Sequence, residues 1–378
     1  MIKRKFTFEL ERRLSAEYPL IQIILGPRQV GKTTGIQQVL KHYDDPYLFC
    51  STDESLQPSE SWLLEKWQSA LLKGDGALLV IDEIQNLPNW SSLIKRLWDE
   101  QKLKKSRLKL VLLGSSSLSI KQGVDESLAG RYELMMVSHW NYAESRELTN
   151  MDLDTFLRFG GYPGSYQFIS EPERWRNYVL KSIVDNVVDK DILRFSQIRM
   201  PALFRQAFEI ICGYPSQEIS YRKLLGQLQD KGNTDLVKTY LKLFEGAFLF
   251  KVIEKYSHQP HRQKSTSPKI ISLAPCLYSL FSFPDDKTTF VFESNVGAVL
   301  LGITGDVYYW RLNREEVDFV VKWNNKVFAI EVKSGRKKSD KWLKSFQKVV
   351  PDAVPLIITR ENFLDFSKDP KRFLSLYS

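Results

Sequence analysis

The sequence predicts an α/β protein of more than one domain, and three observations predict it. An apolar, β-type run from Leu20 to Leu25 leads through a glycine-bounded loop into a helix-compatible stretch, "LIQIILGPRQVGKTTGIQQVL". A second apolar run, "ALLVIDEIQNLP", has the composition of a buried parallel strand that ends on two acids, Asp82 and Glu83. Near the other end, "EEVDFVVKWNNKVFAIEVKSG" reads as two strands joined by a turn, each carrying carboxylates. At 378 residues the chain is too long for one ordinary domain.

Bulk composition narrows the classes. With 43% hydrophobic and 12% aromatic residues the chain can build packed cores, which excludes a disordered protein. No apolar run approaches the roughly 18 residues of a membrane span, so no membrane partner is expected. The charged start "MIKRKFTFELERR" does not read as a signal peptide. Cys50, Cys212 and Cys276 are odd in number and far apart, against a disulfide framework, and no Cys/His cluster has zinc spacing. The expected location is the cytoplasm. The net charge of +9 is uneven: residues 1–150 hold 20 Lys+Arg against 19 Asp+Glu, and the remainder 34 against 26. A basic excess in the later domains points at phosphates as partners.

The first loop fits the P-loop pattern, Gly26 through Gly31-Lys32-Thr33. Nucleotide-binding residues are then Gly26, Pro27, Arg28, Gln29, Val30, Gly31, Lys32, Thr33 and Thr34. The glycines let several backbone N–H groups turn inward onto anionic oxygens at a helix N-terminus. Lys32 is expected on the β- and γ-phosphates of ATP, and the Thr33 hydroxyl on Mg²⁺. Asp82, at a strand tip, is expected to bind the same ion through water, and Glu83 to polarise the attacking water as general base. A plain surface acid pair after a core strand is the bland alternative. A third apolar strand, "LKLVLLGSSS", ends on Ser115, Ser116 and Ser117, and "SLAGRYELMMVSHW" leads through Gly130-Arg131 into a fourth. These tips should converge on one sheet edge, where α/β folds bind ligands.

The segments "GPRQVGKTT", "LVIDEIQ", "LLGSSS" and "SLAGRYE" resemble a large family of bacterial and archaeal AAA+-type ATPases fused to a C-terminal domain of unknown function. The resemblance covers essentially the whole chain. It implies that Arg131 is an arginine finger acting on a neighbouring subunit's nucleotide, and hence a homo-oligomer. Against this, a lone arginine also serves to cap a helix or pair with an acid. The usual sensor asparagine is replaced here by serines, so Ser115 or Ser116 takes that place. Arg174 and Arg176 neighbour the region of a second sensor. The implied division is an AAA+-like core over 1–145, a helical lid over 146–200, a winged-helix-like domain over 201–285 and a nuclease-like domain over 286–378.

Two amphipathic helices joined at Gly232-Asn233, followed by two strands around a basic loop, resemble a winged helix. Lys255, Arg262, Lys264 and Lys269, with His258 and His261, are candidate contacts to a phosphate backbone. A solvated connector explains the same residues, since fold does not fix function. From about Thr288 the order helix, three strands, helix, strand looks like a restriction-endonuclease-like PD-(D/E)xK domain. Asp318 and Glu331, on adjacent strands, suit one shared Mg²⁺. Lys333, two residues after Glu331, stands on the same face and suits the attacking water or the pentavalent phosphate. Glu293 matches the family's further acid, and Glu316 shares the face of Asp318. Lys/Glu pairs also decorate ordinary sheets. Three functions are therefore carried forward. The first is an ATP-hydrolysing protein whose nucleotide state governs nucleic-acid or partner binding. The second is an ATP-regulated, metal-dependent DNA nuclease. The third is a nucleotide-switched binding module that cuts nothing.

Overall fold

Short strands of Leu, Ile and Val that are buried on both faces assemble as a parallel sheet covered by helices. The structure, a computed structural model, describes residues 2–16, 20–55, 57–103, 106–115, 127–192, 198, 200–228, 232–257, 267–281, 288–334 and 341–377. The chain divides into two units, Met1–Ser138 and His139–Ser378. In the first, β1 (Ile21–Leu25), β2 (Tyr47–Ser51), β3 (Leu78–Asp82), β4 (Lys109–Gly114) and β5 (Tyr132–Met136) form one sheet in the order β2-β3-β4-β1-β5. All four pairings are parallel. β1 and β3 are buried at every residue, as their unbroken apolar runs require. The sequence reading has four of these strands; β2 is the addition. It lies at the sheet edge with Tyr47 exposed, so it lacks the continuous apolar run that marks the central strands.

This order fixes where side chains can meet. β1 lies between β4 and β5, and β3 lies beside β4, so the chain leaves β1, β3 and β4 on one edge of the sheet. An N-terminal helix, Lys5–Leu14, buries Phe6, Leu10 and Leu14 and packs on the helix Lys32–Leu40. The approach depends on Gly35, where an added Cβ would stand 2.3 Å from Phe6 Cζ.

The second unit opens with helices Tyr142–Thr149 and Leu153–Phe159, the first closed by a capping box between Asn141 and Glu144. The turn after them needs glycine: Gly161 has φ +111°, and a Cβ there would lie 2.8 Å from that of Ala274. Helices Pro201–Cys212, Tyr221–Gln227 and Thr234–Gly246 follow, the last two capped by Ser220 and Asn233. They accompany a small antiparallel sheet of β6 (Gln217–Glu218), β7 (Phe250–Ile253) and β8 (Lys269–Ser272), in the order β6-β8-β7. The helix Thr288–Leu301 leads to β9 (Val307–Leu312), β10 (Glu315–Trp323) and β11 (Lys326–Lys333), an antiparallel meander. After the helix Lys341–Gln347, β12 (Val354–Thr359) returns parallel to β11, giving the order β12-β11-β10-β9. The segment expected as a nucleotide lid shares its core with this sheet: Met151, Phe156 and Tyr166 pack in one cluster with Phe292, Phe319 and Phe363.

Candidate functional site

The loop after β1 is shaped by three backbone features. Gly26 runs against Val137, where a Cβ would sit 2.3 Å from the carbonyl oxygen. Gln29 and Gly31 both take left-handed conformations, φ 57° and 87°. That turn delivers the chain into the helix Lys32–Leu40, whose first N–H groups face the loop. Pro27 is buried, Arg28 half-buried and Gln29 exposed, while Val30 is fully buried; Thr34 follows Thr33 in the first helical turn. The loop is braced from outside as well. Arg4, itself buried, donates through Nη1 to the carbonyl oxygens of Val30 and Ser138, each at 3.1 Å.

Lys32 is 6% exposed and donates to the carbonyls of Gly26 (2.8 Å) and Pro27 (2.7 Å). Burial lowers its pKa to about 8, because neutral carbonyls do not replace the solvation of an ammonium; Glu83 and Asp82 oppose the drop only in part. Thr33 Oγ1 donates to Asp82 Oδ2 at 2.6 Å, which joins the helix start to the tip of β3. Asp82 Oδ1 accepts from the Glu83 N–H at 2.9 Å, and burial raises the Asp82 pKa above the ordinary value. Hydroxyl and carboxylate oxygens so placed are the hard donors that Mg²⁺ takes, so the pair fits the ion.

Glu83 stands in the left-handed region, φ 52°, ψ 40°, a conformation costly for a long side chain without glycine's freedom. Its Oε2 accepts from Ser115 Oγ at 3.0 Å and from Gln85 Nε2, and Gln85 Nε2 also donates to Ser115 Oγ at 3.2 Å. Thr52, at the end of β2, donates to the Glu83 carbonyl at 2.7 Å. Ser115 thus meets Glu83 at the edge where β3 and β4 end. Ser116 lies outside the described residues. Gln85 and Thr52 escape a motif reading: "IDEIQN" gives no sign that the fifth letter folds back on the third.

Arg131 is elsewhere. It precedes β5, and Tyr132 pairs with Ile21 at the start of β1, whereas the loop follows Leu25 at its end. Four residues of strand, about 13 Å, separate those two levels. The guanidinium is engaged by Asp99 of the helix Trp90–Leu103, with Nε and Nη2 donating at 2.8 and 2.9 Å. Arg131 therefore stands at the sheet edge opposite its own chain's loop. Arg174 pairs with Glu171, and Arg176 donates to the Leu280 carbonyl at 2.5 Å.

The second constellation lies within the second unit. Glu293 comes from the helix Thr288–Leu301, Glu316 and Asp318 from β10, and Glu331 and Lys333 from β11. Asp318 Oδ2 accepts from the Val332 N–H at 2.7 Å, and Lys333 pairs with Glu331. One expected residue is in an unexpected role. Lys269, a candidate contact to a phosphate backbone, is 2% exposed and carries its ammonium into these carboxylates, 2.6 Å from Glu293 and 3.1 Å from Glu316. A lysine so enclosed presents no charge to an external phosphate, which corrects that expectation. Lys255 is half-buried beside Tyr309, its bridge partner. His258, His261, Arg262 and Lys264 lie outside the described residues.

The geometry of the first unit agrees with its relatives. Residues 19–145 match the family described as AAA domain. The first unit has the fold of an AAA-type P-loop ATPase. Residues 150–282 and 289–375 match two families described as domains of unknown function, DUF8612 and DUF4143. The first of these spans, in one family, the regions expected as lid and winged helix. A Walker-type ATPase of Pyrococcus abyssi shares the fold at a TM-score of 0.50 and 13% identity, over 74% of this chain and 95% of that one. Uncharacterized proteins of Methanocaldococcus jannaschii and Mycobacterium tuberculosis are 23% and 25% identical. Each alignment takes in 88% of this chain, with 79% and 74% of the respective relative. Among the described residues no helix is long and apolar enough to cross a membrane.

Proposed function

We propose that this chain binds and hydrolyses ATP at Gly26–Thr34 and uses the nucleotide state to govern how residues 139–378 hold a partner. The observation that carries the reading is the continuous set of contacts Thr33–Asp82–Glu83–Ser115 beside a buried Lys32. In this reading Lys32 neutralises the β- and γ-phosphates, and Thr33 and Asp82 would hold Mg²⁺, which supplies positive charge to the phosphate oxygens. Glu83 accepts the proton of the attacking water, and Ser115 with Gln85 fixes its carboxylate. The test is phosphate release from ATP by wild type, Lys32→Ala and Glu83→Gln. ATP binding without turnover in the wild type would overturn the reading.

Arg131 is proposed to act on the nucleotide of a second copy, a role supported by its position away from its own loop. Finger action requires that it leave Asp99. Mixing Arg131→Ala with Lys32→Ala should then restore turnover through hybrid sites, whereas an unaltered rate for Arg131→Ala alone assigns the residue to the Asp99 pair. Residues 201–285, where helices Pro201–Cys212, Tyr221–Gln227 and Thr234–Gly246 accompany a three-stranded antiparallel sheet, are read as a winged helix that binds nucleic acid or protein. Binding to DNA that weakens steeply with salt identifies nucleic acid as the partner; salt-independent binding points to protein. Of the two readings for the C-terminal sheet, cleavage and binding alone, the enclosed Lys269 favours binding.

A further inference from the structure

The ammonium of Lys269 is enclosed on every side by groups from other elements. Glu293 Oε1 lies at 2.6 Å, Glu316 Oε1 at 3.1 Å and the Asp318 carbonyl oxygen at 3.4 Å. The rings of Phe319 and Tyr309 cover it at 5.4 and 5.9 Å from their centroids. Ser216 Oγ donates to the same Glu293 oxygen at 2.7 Å, so that carboxylate is fixed from two directions. The remaining acids are turned to other partners, Asp318 to the Val332 N–H and Glu331 to Lys333, while Glu331 Oε2 is buried without a hydrogen bond. Among the described residues no three His, Cys, Asp or Glu side chains are arranged to hold a metal ion.

A metal-dependent nuclease site needs its acids converged on one divalent cation, with open positions for water and phosphate. These residues do not fit that need: the ammonium of Lys269 takes Glu293 and Glu316, and the two acids expected to share the ion are turned away, Asp318 to the Val332 N–H and Glu331 to Lys333. We propose that Lys269 is the built-in cation of this cluster: carried on β8, it stands in place of a divalent ion and keeps the C-terminal sheet from loading one. A tethered lysine holds such a position at high effective concentration. A divalent ion would have to shed water to displace it. The lysine comes from the small sheet and its acids from the helix Thr288–Leu301 and β10, so the same contact also ties these elements together. The inference rests on reading Glu293, Asp318, Glu331 and Lys333 as a nuclease-like set, and it is independent of ATP hydrolysis.

The test is Mn²⁺ binding to the full chain, stripped of metal and free of nucleotide, followed by electron paramagnetic resonance. Wild type and Asp318→Asn should give the same isotherm. Lys269→Gln should gain a site at least roughly tenfold tighter than any the wild type has there, and Lys269→Gln/Asp318→Asn should lose it. Stoichiometric Mn²⁺ on the wild type that disappears in Asp318→Asn overturns the proposal, as does a folded Lys269→Gln that gains no site. Should Lys269→Gln fail to fold, the comparison of wild type with Asp318→Asn decides by itself.

Discussion

Two lysines, one in each unit, are buried beside carboxylates, and they respond in opposite ways. Lys32 bonds two neutral carbonyls, and burial pulls its pKa down to about 8. Lys269 is more enclosed still, yet the pull of burial is more than reversed by Glu293, Asp318 and Glu316, and its pKa rises. The difference lies in the contacts rather than the depth: a carbonyl offers a partial charge, a carboxylate a full one. Lys32 is a cation without a full counter-charge in direct contact, the condition of a group meant to meet an anion from outside. Lys269 has its anions within the fold, the condition of a structural charge.

That contrast can be broken in several ways. Lys32→Ala should reduce ATP turnover about 10²–10³-fold while leaving the denaturation midpoint unchanged or raised, since it removes a poorly compensated buried charge. Lys269→Ala should do the reverse to the fold, costing about 3–5 kcal/mol in chemical denaturation, because it leaves buried carboxylates without their cation. Equal stability losses in the two variants would end the contrast. Ser115→Ala should slow turnover roughly ten- to a hundredfold with ATP affinity preserved, because it frees the Glu83 carboxylate from its position. Weakened ATP binding in that variant would place Ser115 on the nucleotide rather than on Glu83.

The smallest effect is a proton. The folded-state pKa of Lys32, about 8, lies below its ordinary 10.5, so the folded protein carries less charge there between those values than the unfolded chain does. Its contribution to stability therefore rises with pH through that window. Phosphates restore the charged form, so ATP binding should take up protons at pH values above about 8 and weaken as pH rises through that value. Calorimetry in buffers of different ionisation enthalpy reads this directly. An uptake that persists in Lys32→Ala assigns it to another group.

The legible parts of this chain are those whose chemistry is local. Gly26 through Thr34 and the pair Asp82-Glu83 announce themselves because a phosphate loop and a strand tip are each contained in one short segment. The C-terminal order of helix, three strands, helix and strand was equally open to reading. Its alternating strands flank a turn at Asn324-Asn325, where both residues adopt positive φ. What could not be read is what depends on partners distant in sequence. Gln85 reaches Ser115 thirty residues on, and only because Glu83 turns left-handed. Arg131 meets Asp99 across a helix and a strand. Lys269 looks basic and available in "SPKIISL", but it opens a strand buried along its whole length, and its acids lie 24 and 47 residues downstream.

The fastening around Gly26 has one further consequence. Val137 rests on Gly26, its N–H donates to the Leu25 carbonyl at 2.7 Å, and Arg4 clamps Val30 and Ser138 together. Ser138 is also where the first unit ends. The polypeptide thus leaves this unit while still tied to the loop, as a rope leaves a cleat. One guanidinium therefore holds both the phosphate loop and the last residue of the first unit, one peptide bond before the second unit begins.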